Sequence, residues 1–348
     1  MSYILISLMA LTWPLGNLIR WEIFRNVFIT PLDVAVLLIT LRYFRLSSVD
    51  RRLFMLFAVF LLSLLINYQR VTLFSVAYFA RFFLYLSLFW SLGVCSKKIL
   101  TFWSLAATAI GLILFVLFPD TRIMLYAGWD EHYYRLIGPW LDPNFTGGIL
   151  VLAILFLFSI KNWVSALFIM CLLLLTFSRS SYLSLLAGLF VFFDFTKWKK
   201  TILLFVLFVL LFVLFVVLFP NTAEGQNLFR TASIQGRLDS YQQGLFIFLQ
   251  NPVLGIGFNN YPRFGGHVAA PDSSLLFVLA TTGVVGFSVF LYSLITLYRR
   301  SSLIFRISFI SLILHSLFVN SLFYPPILVW FSVLYNIENA NNRRSSPS

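Results

Sequence analysis

The chain has 348 residues, 60% of them hydrophobic and 11% charged, with 41 phenylalanines, a formal net charge of +13 and a mean hydropathy of +0.93. A water-soluble domain carries about 25% charged residues, so composition excludes that class and favours a chain that crosses a membrane many times. The positive charge is not read as a nucleic-acid signal, because Lys and Arg fall mainly in short loops between apolar runs, where they set topology.

Twelve apolar runs follow in chain order: 3–19, 31–44, 53–67, 73–95, 99–118, 144–160, 163–177, 180–195, 201–219, 272–297, 303–322 and 325–337. Several are shorter than the roughly 20 residues that a spanning helix needs, so their ends must tilt or borrow loop residues. The first run has neither a basic leader nor a small-residue cleavage site, so it reads as a span and not as a cleavable signal. With the N-terminus inside, fifteen of the 25 Lys and Arg residues lie in inside loops, all six lysines among them, against nine outside. That bias predicts cytoplasmic termini. The fold class expected is all-α: one membrane-embedded domain over 1–348, with about 12 transmembrane helices. Two long loops, 119–143 and 220–271, then fall on the extracytoplasmic side. Within the larger, "GRLDSYQQGLFIFLQNP" predicts an amphipathic helix with Leu238, Tyr241, Leu245 and Phe248 at helical spacing. Asn251-Pro252 ends that helix, which is expected at the membrane interface.

The charged residues carry two readings each. Arg81 lies well inside an apolar run, where a lone charge is costly, so it either pairs, for example with Asp33, or faces a cavity. Arg135 lies in the smaller loop. Asn144 or Asp142 starts a span in "WLDPNFTGG". Arg179 stands between two apolar runs, flanked by Ser178, Ser180 and Ser181. It is either a snorkelling side chain or an anion site, with the serine hydroxyls and the next helix's N–H groups beside it. Arg237 opens the loop helix. Asp272 follows Pro271 at the start of a span and is either its N-cap or a base. His267 reads as a loop residue and His315 as a hydrogen-bonded core residue. Cys95 and Cys171 lie in apolar runs, and His132, His267 and His315 lack metal-ligand spacing, so neither a metal nor a cofactor is expected.

Arg237-x3-Tyr241-x2-Gly244, then "NPVLGIGFNNY", then "DSSLLFVLATTGVVG" resemble the C-terminal signature of the O-antigen ligase and O-antigen polymerase superfamily. "DPNFTGG" and "FSRSSYLSLLAG" are similar to its other motifs, so the resemblance covers roughly residues 140–290. It implies a GT-C-like glycosyltransferase at the outer face of the bacterial cytoplasmic membrane, with a glycan on undecaprenyl pyrophosphate as donor. Ligases transfer that glycan to lipid A–core; polymerases transfer it to another lipid-linked repeat unit, with a flippase and a chain-length regulator as candidate partners. Ligases typically have His followed by Asn where this chain has Asp272-Ser273, and a longer loop, so polymerase is favoured over ligase. On this reading Asp272, Arg179 and Arg237 are catalytic, and Arg81, Arg135, Asn144, Tyr241 and His267 bind substrate, with His267, five residues upstream of Asp272, the alternative base. A lipid-linked-sugar transporter would need paired pseudo-symmetric halves, and the sequence has no internal repeat.

Overall fold

Small polar side chains punctuate the apolar runs, and the helices begin where they stand. Thr72, Ser96, Asp142, Asn162, Ser273 and Ser302 each accept a hydrogen bond from a first-turn backbone N–H of the helix they precede, supplying partners that the first turn otherwise lacks. The computed structural model describes residues 3–24, 27–45, 51–93, 95–127, 132–192, 231–261 and 270–345, with single positions 210, 214 and 226. Among these, the helices are α1 (Tyr3–Thr12), α2 (Pro31–Tyr43), α3 (Arg51–Ile66), α4 (Leu73–Ser91), α5 (Lys97–Leu117), α6 (Pro143–Ser159), α7 (Trp163–Leu174), α8 (Arg179–Phe192), α9 (Ala232–Gln250), α10 (Ser274–Arg300), α11 (Leu303–Ser316) and α12 (Pro325–Ser345).

The architecture is helical, but the count of about 12 spans is only partly matched. Among the described residues α4, α5 and α10 are long and apolar enough to cross a membrane, and seven further apolar stretches are 10–17 residues long. The expected span at 201–219 lies outside the described residues, apart from positions 210 and 214. Shortness has a physical basis in α6: from Thr146 to Phe158 every residue is buried, so the helix is sheathed by protein and need not match the hydrocarbon thickness by itself. A feature not anticipated from sequence is a short antiparallel hairpin, β1 (Trp21–Phe24) and β2 (Val27–Ile29), pairing Trp21 with Ile29 and Glu22 with Phe28.

Two observations organise the core. Trp13 stacks on Trp103 at 4.6 Å between ring centroids and meets Trp140 edge-on at 5.2 Å, with Trp330 at 5.6 Å, tying the turn after α1, α5, α12 and the segment before α6 together. Hydrogen bonds also gather one end of the bundle. Ser75 Oγ at the start of α4 donates to Asn259 O, Asn17 Nδ2 to Trp140 O, and the Leu136 N–H to Leu175 O at the end of α7. Arg42, Lys97, Lys98, Lys161, Arg299 and Arg300 fall at the opposite helix ends.

The motifs "NPVLGIG" and "TTGVVG" meet at the gathered end. Helix α10 is broken at Gly283, whose φ/ψ of 65°/−170° is not helical and is open essentially to glycine alone. The groups freed by the break bond to the loop after α9. The N–H groups of Ile256 and Gly257 donate to Ala280 O and Thr281 O, and those of Val284 and Val285 donate to Pro252 O and Val253 O. Ser63 Oγ on α3 donates to both Leu254 O (2.7 Å) and Thr281 O (2.8 Å). Ile256, Phe258, Asn260 and Tyr261 are buried, so this part of the expected outer loop is built into the bundle.

Candidate functional site

The α7–α8 turn, "TFSRSS", is held before it presents anything. Phe177 takes a positive φ of 48°, and the buried Arg135 donates from Nε to Thr176 O at 2.9 Å and from Nη2 to Phe177 O at 3.5 Å. Arg135 thus binds carbonyls left over at a helix C-terminus. Ser178 Oγ donates to Asn144 Oδ1 (3.1 Å), and Ser181 Oγ donates to Ser178 Oγ (2.9 Å). Nε2 of His315 lies 3.2 Å from Ser181 Oγ, and its Nδ1 lies 2.6 Å from Ser321 Oγ. Gly147 and Gly148 make room for this network: a Cβ on Gly148 would stand 2.9 Å from His315 Cε1. The serines expected to line an anion site beside Arg179 are therefore buried and bonded inward, and His315 is the core residue expected.

Arg179 itself opens α8, and its Nη2 donates to Ser233 Oγ on α9 at 2.6 Å. Helix α9 brings the other candidates. The Arg237 charge acts on Arg179, Tyr241, Asp272 and His315. Among the described residues Arg237 forms no ion pair within 4 Å. The Tyr241 hydroxyl donates to Leu317 O, docking α9 on the end of α11. The packed face of α9 differs from the stripe expected: Ser240, Gly244 and Ile247 are buried, whereas Leu238 and Leu245 are exposed, together with Ile234, Phe246 and Leu249. Small residues let α9 approach α10 closely, which turns the larger apolar residues outward, where they suit a membrane interface.

Asp272 does not cap α10; Ser273 does, accepting from the Leu276 N–H. The Asp272 backbone N–H donates to Ser240 Oγ at 3.0 Å, fixing it against α9. Burial raises its carboxyl above the usual carboxylate range; Arg237 opposes the shift and the like charge of Asp142 adds to it. Asp142 is the cap of α6, its Oδ1 accepting from the Asn144 and Phe145 N–H groups at 2.7 and 2.8 Å. Tyr261, which ends the "NPVLGIGFNNY" motif, was missed as a candidate. Its buried hydroxyl has no partner among the described residues, and burial and the Asp272 charge push it up to about 12. No sequence pattern marks that geometry.

Arg179, Arg237, Tyr241 and Asp272 thus come together at the gathered end of the bundle. Asn144 and Arg135 support the turn that carries Arg179. Arg81 stands apart, with Nε and Nη2 donating to the two oxygens of Asp33 at 2.7 and 2.8 Å; Tyr85 and Thr30 also donate to that carboxylate. This is the pairing weighed from sequence, and it uses both prongs of the guanidinium fork. His267 lies outside the described residues. Among the described residues no three His, Cys, Asp or Glu side chains gather as a metal site requires.

Residues 163–291 match the family model described as O-Antigen ligase, a segment that runs from α7 into α10 and includes Arg179, Arg237, Tyr241 and Asp272. No curated protein matches the chain.

Proposed function

From the premise that residues 163–291 carry the O-antigen ligase/polymerase superfamily signature, we propose that this chain is a surface-polysaccharide polymerase. It moves a glycan from undecaprenyl pyrophosphate to the acceptor sugar of another lipid-linked repeat unit. The family match supports the broader statement, a membrane glycosyltransferase-type role on a lipid-linked glycan. The Arg179, Arg237 and Asp272 side chains, at the start of α8, in the second turn of α9 and just before α10, support transfer from a pyrophosphate donor, and Asp272-Ser273 in place of the His-Asn typical of ligases favours the polymerase.

In this reading the acceptor hydroxyl oxygen attacks the anomeric carbon of the donor as the bond to the pyrophosphate oxygen breaks. Asp272 takes the hydroxyl proton, and undecaprenyl pyrophosphate leaves with the bonding electrons. The guanidinium groups of Arg179 and Arg237 meet the charge that develops on the leaving oxygens. Arg135, Asn144 and the His315–Ser181–Ser178 chain hold the turn that presents Arg179. The site faces the extracytoplasmic side of the cytoplasmic membrane and both termini are cytoplasmic, as the Lys and Arg bias favours.

O-antigen ligase is the second reading, favoured by the description of the matched family. A radiolabelled donor assay in proteoliposomes tests both. Release of undecaprenyl pyrophosphate with glycan extended on a lipid-linked acceptor supports the polymerase. Transfer only to lipid A–core supports the ligase. Donor crossing the bilayer without release of undecaprenyl pyrophosphate would overturn the enzyme reading.

A further inference from the structure

At the same end of the bundle, separate from the arginines and Asp272, lies a cavity of about 340 Å³. It is bounded by the α1–α2 connection, the middle of α4 from Tyr78 to Tyr85, the first turns of α6 and α10, residues 258–259 and the α11–α12 connection. Its volume falls within the roughly 300–1,000 Å³ of small-molecule sites. Two features of its wall define the ligand. The Phe145 and Tyr324 rings are locked parallel, 3.9 Å between centroids and 17° between planes, giving a rigid aromatic slab. Near it are an acceptor and a donor that the fold leaves available. Asn320 Oδ1 is buried and has no hydrogen-bond partner among the described residues, which is costly unless something donates to it. Tyr324 Oη accepts from Asn17 Nδ2 at 3.4 Å, which leaves its own O–H to donate.

An aromatic slab, one free acceptor and one free donor match a pyranose. Its C–H face carries partial positive charge toward a ring face, and each of its hydroxyls both donates and accepts. The charges disfavour a second phosphate site. Two arginines line the cavity, but Arg81 is spent on Asp33 in a bidentate pair, and Glu22 acts on Arg20, which also stacks over Phe28 at 4.3 Å. The cavity also adjoins the candidate centre through the first turn of α6. Asn144 of that turn accepts from Ser178, Phe145 forms the slab, and the charge of the cap, Asp142, reaches both Asp272 and Tyr324.

We infer that this cavity is a subsite for an uncharged glycosyl unit, and that it holds the acceptor sugar while the arginines hold the donor pyrophosphate. The assignment of the sugar as acceptor rests on the transferase reading above; binding of a neutral sugar does not. The probe is the lipid-free repeat-unit oligosaccharide, measured by saturation-transfer NMR against purified protein in detergent, with inorganic pyrophosphate as a second, separate probe. Wild type is expected to bind both. Tyr324→Phe keeps the ring and removes only the hydroxyl, and Asn320→Leu removes the acceptor. Each is expected to weaken oligosaccharide binding about threefold to tenfold, the range for one neutral hydrogen bond, with pyrophosphate binding unchanged. Asn320→Asp retains an acceptor and is expected to bind better than Asn320→Leu. Arg237→Lys is expected to spare oligosaccharide binding and weaken pyrophosphate binding. Pyrophosphate binding also reports folding, so a misfolded Asn320→Leu is recognised, and Tyr324→Phe then decides. Unchanged oligosaccharide affinity in Tyr324→Phe, or loss of oligosaccharide binding in Arg237→Lys, overturns the subsite. Oligosaccharide binding that follows these variants without any turnover would uphold the sugar site and remove the transferase reading.

Discussion

Gly283→Ala is the sharpest test of how the bundle is built at its functional end. A Cβ on Gly283 would stand 2.2 Å from Val253 O and 2.3 Å from Val253 C, and its φ of +65° is one that L side chains rarely adopt. The neighbour is backbone, so it cannot swing aside as a side chain would. Strain at such a φ/ψ costs about 1–3 kcal/mol. Relief requires the 252–257 segment to back away, at the expense of the four backbone hydrogen bonds that cross the break. Each contributes about 0.5–1.5 kcal/mol net, and more where a group is left buried without a partner. If half of them are lost, the total is about 2–6 kcal/mol, a large part of the 5–15 kcal/mol that stabilises a folded protein. The expected result is a fall of about 3–8 °C in the thermal midpoint of detergent-purified protein, with faster proteolysis in the 231–261 segment. Ser63→Ala, which removes the donor shared by Leu254 O and Thr281 O, the second of them one of the same carbonyls, should give a smaller fall in the same direction. A Gly283→Ala protein within about 2 °C of wild type, with unchanged proteolysis, would refute the reasoning.

Arg179→Lys and Arg237→Lys should each lower turnover by about one to three orders of magnitude, because a point charge does not reproduce the bidentate fork; steady-state donor assays check this. Asp272→Asn should abolish transfer while donor binding persists. Because burial raises the Asp272 carboxyl and a base acts deprotonated, wild-type activity should fall as pH drops through a value above the ordinary carboxylate pKa of about 4, as read from a pH–rate profile. In a background with Cys95 and Cys171 replaced by alanine, Gln69→Cys on the exposed turn after α3 should react with an impermeant maleimide in spheroplasts, and Lys161→Cys should not. Arg81→Leu alone should destabilise by about 3–5 kcal/mol by stranding Asp33, and Arg81→Leu with Asp33→Leu by much less, as compared by thermal unfolding.

Punctuation was the legible part of the fold. Asp142, read as one of two possible starts of a span, caps α6 because its side-chain oxygen replaces a missing backbone partner, whereas the cap read at Asp272 falls one residue later, on Ser273. A charge that interrupts an apolar run needs a reason: at Arg81 the reason is the pair with Asp33, and Arg179 lies beside Ser233 and the Arg237 charge. What sequence did not yield depends on distant partners. Helix α9 packs by Ser240, Gly244 and Ile247, because close approach to α10 outweighs the apolar stripe that periodicity favours. Ser178 and Ser181 turn inward because His315, more than 130 residues away in the chain, completes their hydrogen bonds. The inserted 252–257 segment read as a loop because Asn, Pro and Gly mark turns equally well whether the turn is solvated or buried.

The Arg81–Asp33 pair has a consequence for biogenesis. Arg81 sits about two turns inside α4, and a lone arginine at a helix centre costs about 2.5–3.5 kcal/mol to insert from the translocon. Its counter-charge lies on α2, already synthesised when α4 emerges. Helix α4 is therefore expected to leave the translocon against α2 and not alone, with α3 held as the connecting limb until they dock. A chain cut between α3 and α4 should yield a second fragment whose first helix integrates poorly, and co-expression of the first fragment should restore its insertion.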